Sequence, residues 1–360
     1  MVKWGVMEGF MSEENFTRSI LAWYDGGHRD LPWRRTKDPY RIWISEIMLQ
    51  QTRAETVVSY YERFLARYPD VRALASAPQE ELLKSWEGLG YYSRARSLQK
   101  AAQVIVERYG GELPADLTAL RALPGIGDYT AGAIASIAFG IPAAAVDGNV
   151  ERVLCRYDAV TEEVGTPAVR RKIAARAQAL VPADRPGAFA NAMMEMGATM
   201  CTPRSPKCLL CPVRESCRGF LSGIAQELPR KPKKKAQRVE NRAVLLVFAG
   251  GRVLIVRREE KLLGGLYVFP DVPEERDPSA LCAVLERLGV EAAYDGPLGH
   301  ARHVFTHIVW EMDIFAFEAQ TCADVPGGRW VTAQELATLP LPTAVKAART
   351  HAMERLRAGR

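Results

Sequence analysis

Residues Leu123–Arg152 read LPGIGDYTAGAIASIAFGIPAAAVDGNVER. The stretch opens on Pro124-Gly125-Ile126-Gly127, too rich in glycine to continue a helix. A run of small residues, Thr130 through Ala138, then reads as a tightly packed helix. It closes on Val146-Asp147-Gly148-Asn149, which sets one carboxylate just past an apolar run. Gly125 and Gly127 in a tight turn let main-chain N–H groups approach a ligand closely, because no Cβ intervenes. The helix behind them adds its positive N-terminal end. Turn and helix together suit a phosphate, although a plain helix–helix turn has the same composition.

The chain has 360 residues, enough for two or three domains, and its apolar content of 48% is that of a folded globular protein. No apolar run reaches membrane-spanning length, and the opening MVKWGVMEGFM lacks a signal-cleavage pattern. Met11 is an alternative start. A cytoplasmic protein with no membrane partner is expected, and it is expected to be a monomer. The net charge of +6 is mild, but local basic clusters make nucleic acid a reasonable partner.

Of seven cysteines, Cys155, Cys282 and Cys322 are scattered, and four fall together. Cys201, Cys208, Cys211 and Cys217 are separated by six, two and five residues. Such a group points to a metal site in a reducing compartment rather than a disulfide framework. Zinc stays open at this point, although zinc sites usually pair two C-x2-C knuckles across a longer loop.

The pattern up to about residue 228 is all-α. Residues 12–28 form an amphipathic helix. Asp38-Pro39 caps and starts a second, and more follow near 54–67, 79–86, 93–109 and 116–122. Residues 229–240, beginning PRKPKKKAQR, read as a basic linker. From 241 to 360 the pattern changes to a separate α+β domain. Ala243–Phe248 and Arg252–Arg257 are β-type runs around Gly250-Gly251, Val304–Phe317 is β-rich, and helices are expected near 278–288 and 343–357.

Glu46 sits inside the apolar run Ile42–Leu49. On a helix its neighbours are Ile42, Trp43, Leu49 and Gln50. If that face is buried, its pKa rises, the property wanted in a general acid; a solvent-facing glutamate is the alternative.

The glycine turn, the small-residue helix and Asp147 resemble the helix-hairpin-helix and aspartate of the endonuclease III superfamily of DNA glycosylases. The cysteine spacing resembles the [4Fe–4S] loop of that superfamily. Ser45-Glu46-Ile47-Met48-Leu49-Gln50-Gln51-Thr52 closely resembles the matching segment of the MutY family of adenine DNA glycosylases. Gly264-Gly265-Leu266-Tyr267-Val268-Phe269-Pro270 resembles the opening of a Nudix domain. The resemblance runs from about residue 12 to 350.

It implies a multidomain protein. An all-α helix-hairpin-helix glycosylase region spans 12–228, with a six-helix module near 33–146 and a cluster module from 12–32 and 147–228. A C-terminal α+β Nudix-like domain follows. It also implies a [4Fe–4S] cluster on Cys201, Cys208, Cys211 and Cys217, and double-stranded DNA holding adenine opposite 8-oxoguanine or guanine as the partner. Glu46 would protonate the adenine and Asp147 would stabilise the sugar cation, with Asn149 close by. Tyr129 stands where bifunctional relatives carry a lysine, which implies a glycosylase without strand cleavage. Gln51, Leu89 and Tyr91 would wedge into the base stack, Gly125 and Gly127 would hold phosphate, and Arg34 would line the adenine pocket. Phe305, Thr306 and His307 would read the opposite base, with threonine in place of the family's serine. The helix Ala283-Val284-Leu285-Glu286-Arg287-Leu288-Gly289 lacks the paired carboxylates of a Nudix hydrolase, so nucleotide hydrolysis is not expected. The rival readings are a thymine-mismatch or oxidised-pyrimidine glycosylase of the superfamily, a non-catalytic iron–sulfur DNA-binding regulator and a Nudix hydrolase.

Overall fold

The structure is a computed structural model that describes residues 12–232, 236–260 and 262–358. The alternative start at Met11 and Lys233, Lys234 and Lys235 of the basic linker lie outside the described residues. The chain divides into two units, one holding residues up to 76 with 97–233, the other 77–96 with 234–360.

The first unit is helical throughout. Its helices start where the side chains supply caps for the unpaired first-turn N–H groups. Ser12 accepts from Asn15 N before Glu13–Asp25, Asp38 from Tyr40 and Arg41 N before Pro39–Leu49, and Thr166 from Val169 N before Pro167–Ala179. Proline at the first helical position follows two of these caps. The Glu13–Asp25, Gly148–Tyr157, Pro167–Ala179 and Pro186–Glu195 helices pack around Phe16, Ile20, Leu154, Ile173, Phe189 and Met193. The Asp128–Ile137 helix approaches the segment after it so closely that a Cβ on Gly132 would lie 2.1 Å from the Ala144 carbonyl oxygen. No side chain fits there, and that contact fixes the path of the chain into Asp147.

The second unit carries a seven-stranded mixed sheet. Its strands are β1 Arg238–Ala249, β2 Arg252–Arg257, β3 Tyr267–Val268, β4 Asp271–Pro273, β5 Ala292–Val304, β6 Ile308–Ala319 and β7 Gly328–Val331. The order is β3-β2-β1-β6-β5, with β4 paired to β1 and β7 to β2. Residues 243–249 of β1 are all buried, as expected of a central strand covered on both faces. Val244, Leu246 and Phe248 face a core with Leu336, Ala348 and Ala352; Ala243, Leu245 and Val247 face Leu281 and Leu285 of the Pro278–Arg287 helix. Gly250 and Gly251 both have positive φ, 52° and 70°, which suits the two-residue hairpin expected there.

Three details differ from the sequence reading. Residues 77–96 group with the C-terminal unit, although their helical pattern assigned them to the first. β1 starts at Arg238, inside the expected linker, because Arg238–Phe248 pair in parallel with Ile308–Glu318. The β-rich run at 304–317 is the tip and second arm, β6, of a hairpin, whose first arm, β5, carries Gly296, Pro297 and Gly299 and two register shifts that mask its alternation.

No described helix is long and apolar enough to cross a membrane.

Candidate active site and cluster loop

Glu46 is on the buried side of its helix, only 3% exposed. Burial pushes its carboxyl up to about 7. The Tyr129 hydroxyl and the Arg34 charge oppose this shift, while the Asp147 charge adds to it. The Tyr129 hydroxyl donates to Glu46 Oε2, and Met194 Sδ lies 3.3 Å from the same hydroxyl. Burial and the two carboxylates raise the phenol well above its ordinary range, so Tyr129 stays a neutral donor.

Asp147 caps the Gly148–Tyr157 helix. Oδ1 accepts from Asn149 N at 2.9 Å and Val150 N at 2.8 Å; Oδ2 accepts from Asn149 Nδ2 at 2.7 Å. Burial raises its pKa, against those bonds. Asp147 is therefore a helix cap and also a carboxylate whose charge is felt at Glu46. Behind it, Arg152 donates to Asn149 Oδ1 at 2.9 Å, Gly197 O at 2.7 Å and Cys201 O at 2.8 Å. An unbroken hydrogen-bonded path thus joins Asp147 to the first cysteine of the cluster loop.

Arg34 is buried against a second carboxylate, which the sequence reading missed. Glu195 accepts from Arg34 Nη2 at 2.7 Å and from Arg29 Nε and Nη2 at 2.9 and 2.8 Å. Burial would raise its pKa, but the two guanidiniums hold it down at about 2. Arg34 Nε is buried without a partner among the described residues, so one donor is left for an added acceptor. The signal was available: Glu195 sits in Ala192-Met193-Met194-Glu195-Met196, a lone charge in an apolar helical run like Glu46. The site therefore pairs one carboxyl poised to hold a proton with one firmly ionised, the pattern that separates acid from electrostatic roles.

In the glycine turn, Gly125 has φ of 76°, and a Cβ there would lie 2.6 Å from Ser97 Cβ. Gly127 is the N-cap of Asp128–Ile137, and a Cβ on it would meet nothing within 4 Å. Gly125 is thus required by the protein itself, whereas the space in front of Gly127 is open, as an approaching phosphate needs.

Gln51 and Tyr91 are both exposed and both hold left-handed backbone, with φ of 60° and 47°. Strain of this kind in non-glycine residues collects at functional positions. Leu89 is buried, so its side chain does not reach the surface.

Phe305-Thr306-His307 forms the tip of the β5–β6 hairpin. Phe305 N donates to Ile308 O at 2.8 Å, and Gln237 Nε2 braces the tip by donating to Phe305 O at 2.7 Å. The Phe305 ring stands edge-on to buried Trp310, whose ring also carries the guanidiniums of Arg242 and Arg258 at 4.8 and 5.0 Å. Thr306 and His307 face solvent, and the Thr306 and Tyr91 hydroxyls are 2.8 Å apart.

Cys201, Cys208, Cys211 and Cys217 line one cavity with Arg156, Met200 and Phe220. Burial, together with the charge of the neighbouring cysteines, pushes the Cys211 and Cys217 thiols up to about 11. Four thiolates this close repel one another unless cations lie among them, so the donor set fits an iron–sulfur cluster. Among the described residues no three His, Cys, Asp or Glu side chains close on a single ion; the ligands of a polynuclear cluster stand farther apart than those of one ion. When bound, such a cluster ties four points of the loop together.

Residues 44–179 match the HhH-GPD superfamily of base excision DNA repair proteins, 201–217 the iron–sulfur binding domain of endonuclease III, and 243–351 the NUDIX domain. Among relatives, a human protein named adenine DNA glycosylase is 38% identical over 92% of this chain and 72% of its own length. A mouse protein of the same name is 36% identical over 92% of this chain and 76% of its own. Among solved structures, a thermostable thymine-DNA glycosylase superposes with a TM-score of 0.53 at 33% identity, covering 58% of this chain and 97% of that one. A trapped endonuclease III–DNA covalent intermediate gives a TM-score of 0.51 at 26% identity, covering 60% of this chain and all of the other.

Proposed function

This chain belongs to the family of adenine DNA glycosylases and is a DNA glycosylase of base excision repair with a [4Fe–4S] cluster; on that footing we propose that it hydrolyses the N-glycosidic bond of adenine mispaired with 8-oxoguanine or guanine, acting as a monomer on DNA inside the cell. The observation that carries the reading is Glu46: buried, with its carboxyl pushed up to about 7, beside the charge of Asp147. At that value an appreciable share is protonated at neutral pH, which a general acid needs.

Glu46 gives its proton to N7 of the flipped adenine. The C1′–N9 bond breaks, and its electrons go to the base. Positive charge develops at C1′, and Asp147, held by Asn149, stabilises it. Water adds at C1′ and returns a proton to Glu46, leaving free adenine and an abasic site. Arg34, with its free Nε–H and its Glu195 partner, holds the base edge; Gln51 and Tyr91 fill the gap in the stack; the turn at Gly125 and Gly127 takes the phosphate; Cys201, Cys208, Cys211 and Cys217 hold the cluster. Incubation with duplexes bearing A:8-oxoguanine, A:G, T:G and thymine glycol tests the assignment. Excision from the last two but not the first two overturns it.

Tyr129 cannot form a Schiff base, so borohydride trapping yields little covalent adduct with DNA. Tyr129→Lys places an amine at the site and raises the yield. An unchanged yield means that position 129 does not face the sugar.

Phe305, Thr306 and His307 read the opposite base. 8-Oxoguanine differs from guanine by a carbonyl at C8 and a proton on N7, which hydroxyl and main-chain groups at an exposed hairpin tip can sense. A lost contact in such readout costs about 1–3 kcal/mol. Thr306→Ala combined with His307→Ala therefore lowers the preference for A:8-oxoguanine over A:G roughly tenfold, with A:G excision little changed. A preference that survives places recognition elsewhere.

A further inference from the structure

We infer that Arg156 is the buried counter-charge of the iron–sulfur cluster and a determinant of its reduction potential. Arg156 is among the largest fully buried side chains of the protein, 2% exposed. Its guanidinium stays charged, since arginine does not lose its proton in proteins. Burying such a charge is costly unless an anion answers it.

No carboxylate does so among the described residues. Nε donates to Leu228 O at 2.9 Å; Nη1 to Thr202 O at 2.7 Å and Cys201 O at 3.3 Å; Nη2 to Pro203 O at 3.1 Å. All four acceptors are neutral carbonyls. The one remaining contact is Nη1 to Cys201 Sγ at 3.4 Å. Other buried arginines differ. Arg34 has Glu195, Arg258 has Asp271, and Arg152, one turn before Arg156, feels the charge of Cys201 and, more weakly, that of Asp147 as well.

The position is enforced from outside the helix as well. A Cβ on Gly219 would lie 2.5 Å from the Arg156 carbonyl oxygen, so the segment after Cys217 closes directly on this residue. A cation aimed into a cavity lined by four cysteines, with no other anion in reach, is answered once those cysteines are thiolates around a cluster of net negative charge. Reduction adds one more negative charge, so a fixed cation beside a ligand sulfur favours the reduced form. Removing it lowers the potential.

The test uses the cluster-loaded chain and two variants, Arg156→Gln and Arg156→Lys, with iron content and the midpoint potential measured by voltammetry. Arg156→Gln keeps a donor and loses the charge. Its ratio of oxidised to reduced cluster at a fixed potential rises about tenfold, which is about 59 mV for one electron. Arg156→Lys keeps the charge and loses the planar fork that binds three loop carbonyls; its potential stays near that of the parent while its cluster is lost faster to a chelator. An iron-loaded Arg156→Gln with the parent's potential overturns the inference. So does an Arg156→Lys whose potential falls as far as that of the glutamine variant. Should Arg156→Gln fail to take up iron, Arg156→Lys alone decides: parent-like potential supports the charge role, and a lowered one removes it.

Discussion

Glu46→Gln lowers single-turnover adenine excision by on the order of a hundredfold or more, while duplex binding is kept. Binding survives because phosphate contacts dominate affinity for DNA, and Glu46 makes none from its buried position. The loss follows from the missing proton, since an amide of the same shape cannot protonate N7. The pH dependence gives a second handle. The acid form is the active one and its carboxyl titrates at about 7, so the parent's rate falls as pH rises through that value. Tyr129→Phe removes a hydrogen bond that favours the carboxylate, so the falling limb moves to higher pH. Stability moves in the same sense as activity. The folded carboxyl lies above the ordinary glutamate value of 4.5, so its contribution to stability is present below that value and is lost as pH rises through about 7. Glu46→Gln therefore melts no lower than the parent at pH about 8, which separates a chemical defect from a folding one. Excision near the parent's rate removes Glu46 from the mechanism.

Much of this site was legible because its signals are local. Asp38-Pro39 fixes the start of the helix that buries Glu46, and the apolar residues around Glu46 say which way it faces once a core exists. The cysteine spacing and the Gly250-Gly251 hairpin are equally short-range. Other features depend on residues far apart in sequence. Glu195 gains its meaning only from Arg29 and Arg34, over 160 positions away. Residues 77–96 are helical by pattern, but Lys84 donates to Ala337 O and Leu339 O, and Glu87 accepts from the Arg349 guanidinium. No periodicity encodes that choice. The Tyr91–Thr306 contact, 215 residues apart, is of the same kind. Leu89 shows the converse limit. A leucine in a glycine loop is as good a wedge as a core residue until its exposure is known.

Asp147→Asn is expected to cost as much as Glu46→Gln, and for a different reason. The side chain has two separable duties. Oδ1 caps the Gly148–Tyr157 helix through Asn149 N and Val150 N, and an asparagine oxygen accepts both bonds equally well. Fold and melting temperature should therefore change little. Oδ2 carries the charge toward the reacting sugar, positioned by Asn149 Nδ2, which Arg152 holds in turn. An amide nitrogen at that place presents hydrogen where an anion is needed, so positive charge at C1′ loses its partner. Loss of one such preorganised electrostatic group costs on the order of 100- to 1,000-fold in rate. Arg152→Gln reports on the same carboxylate from behind. It leaves the charge in place but frees Asn149, so excision falls by less than in Asp147→Asn while duplex binding is unchanged. Single-turnover rates on A:8-oxoguanine and A:G duplexes, read beside melting curves, separate the duties. An Asp147→Asn protein that melts and excises like the parent reduces Asp147 to a helix cap.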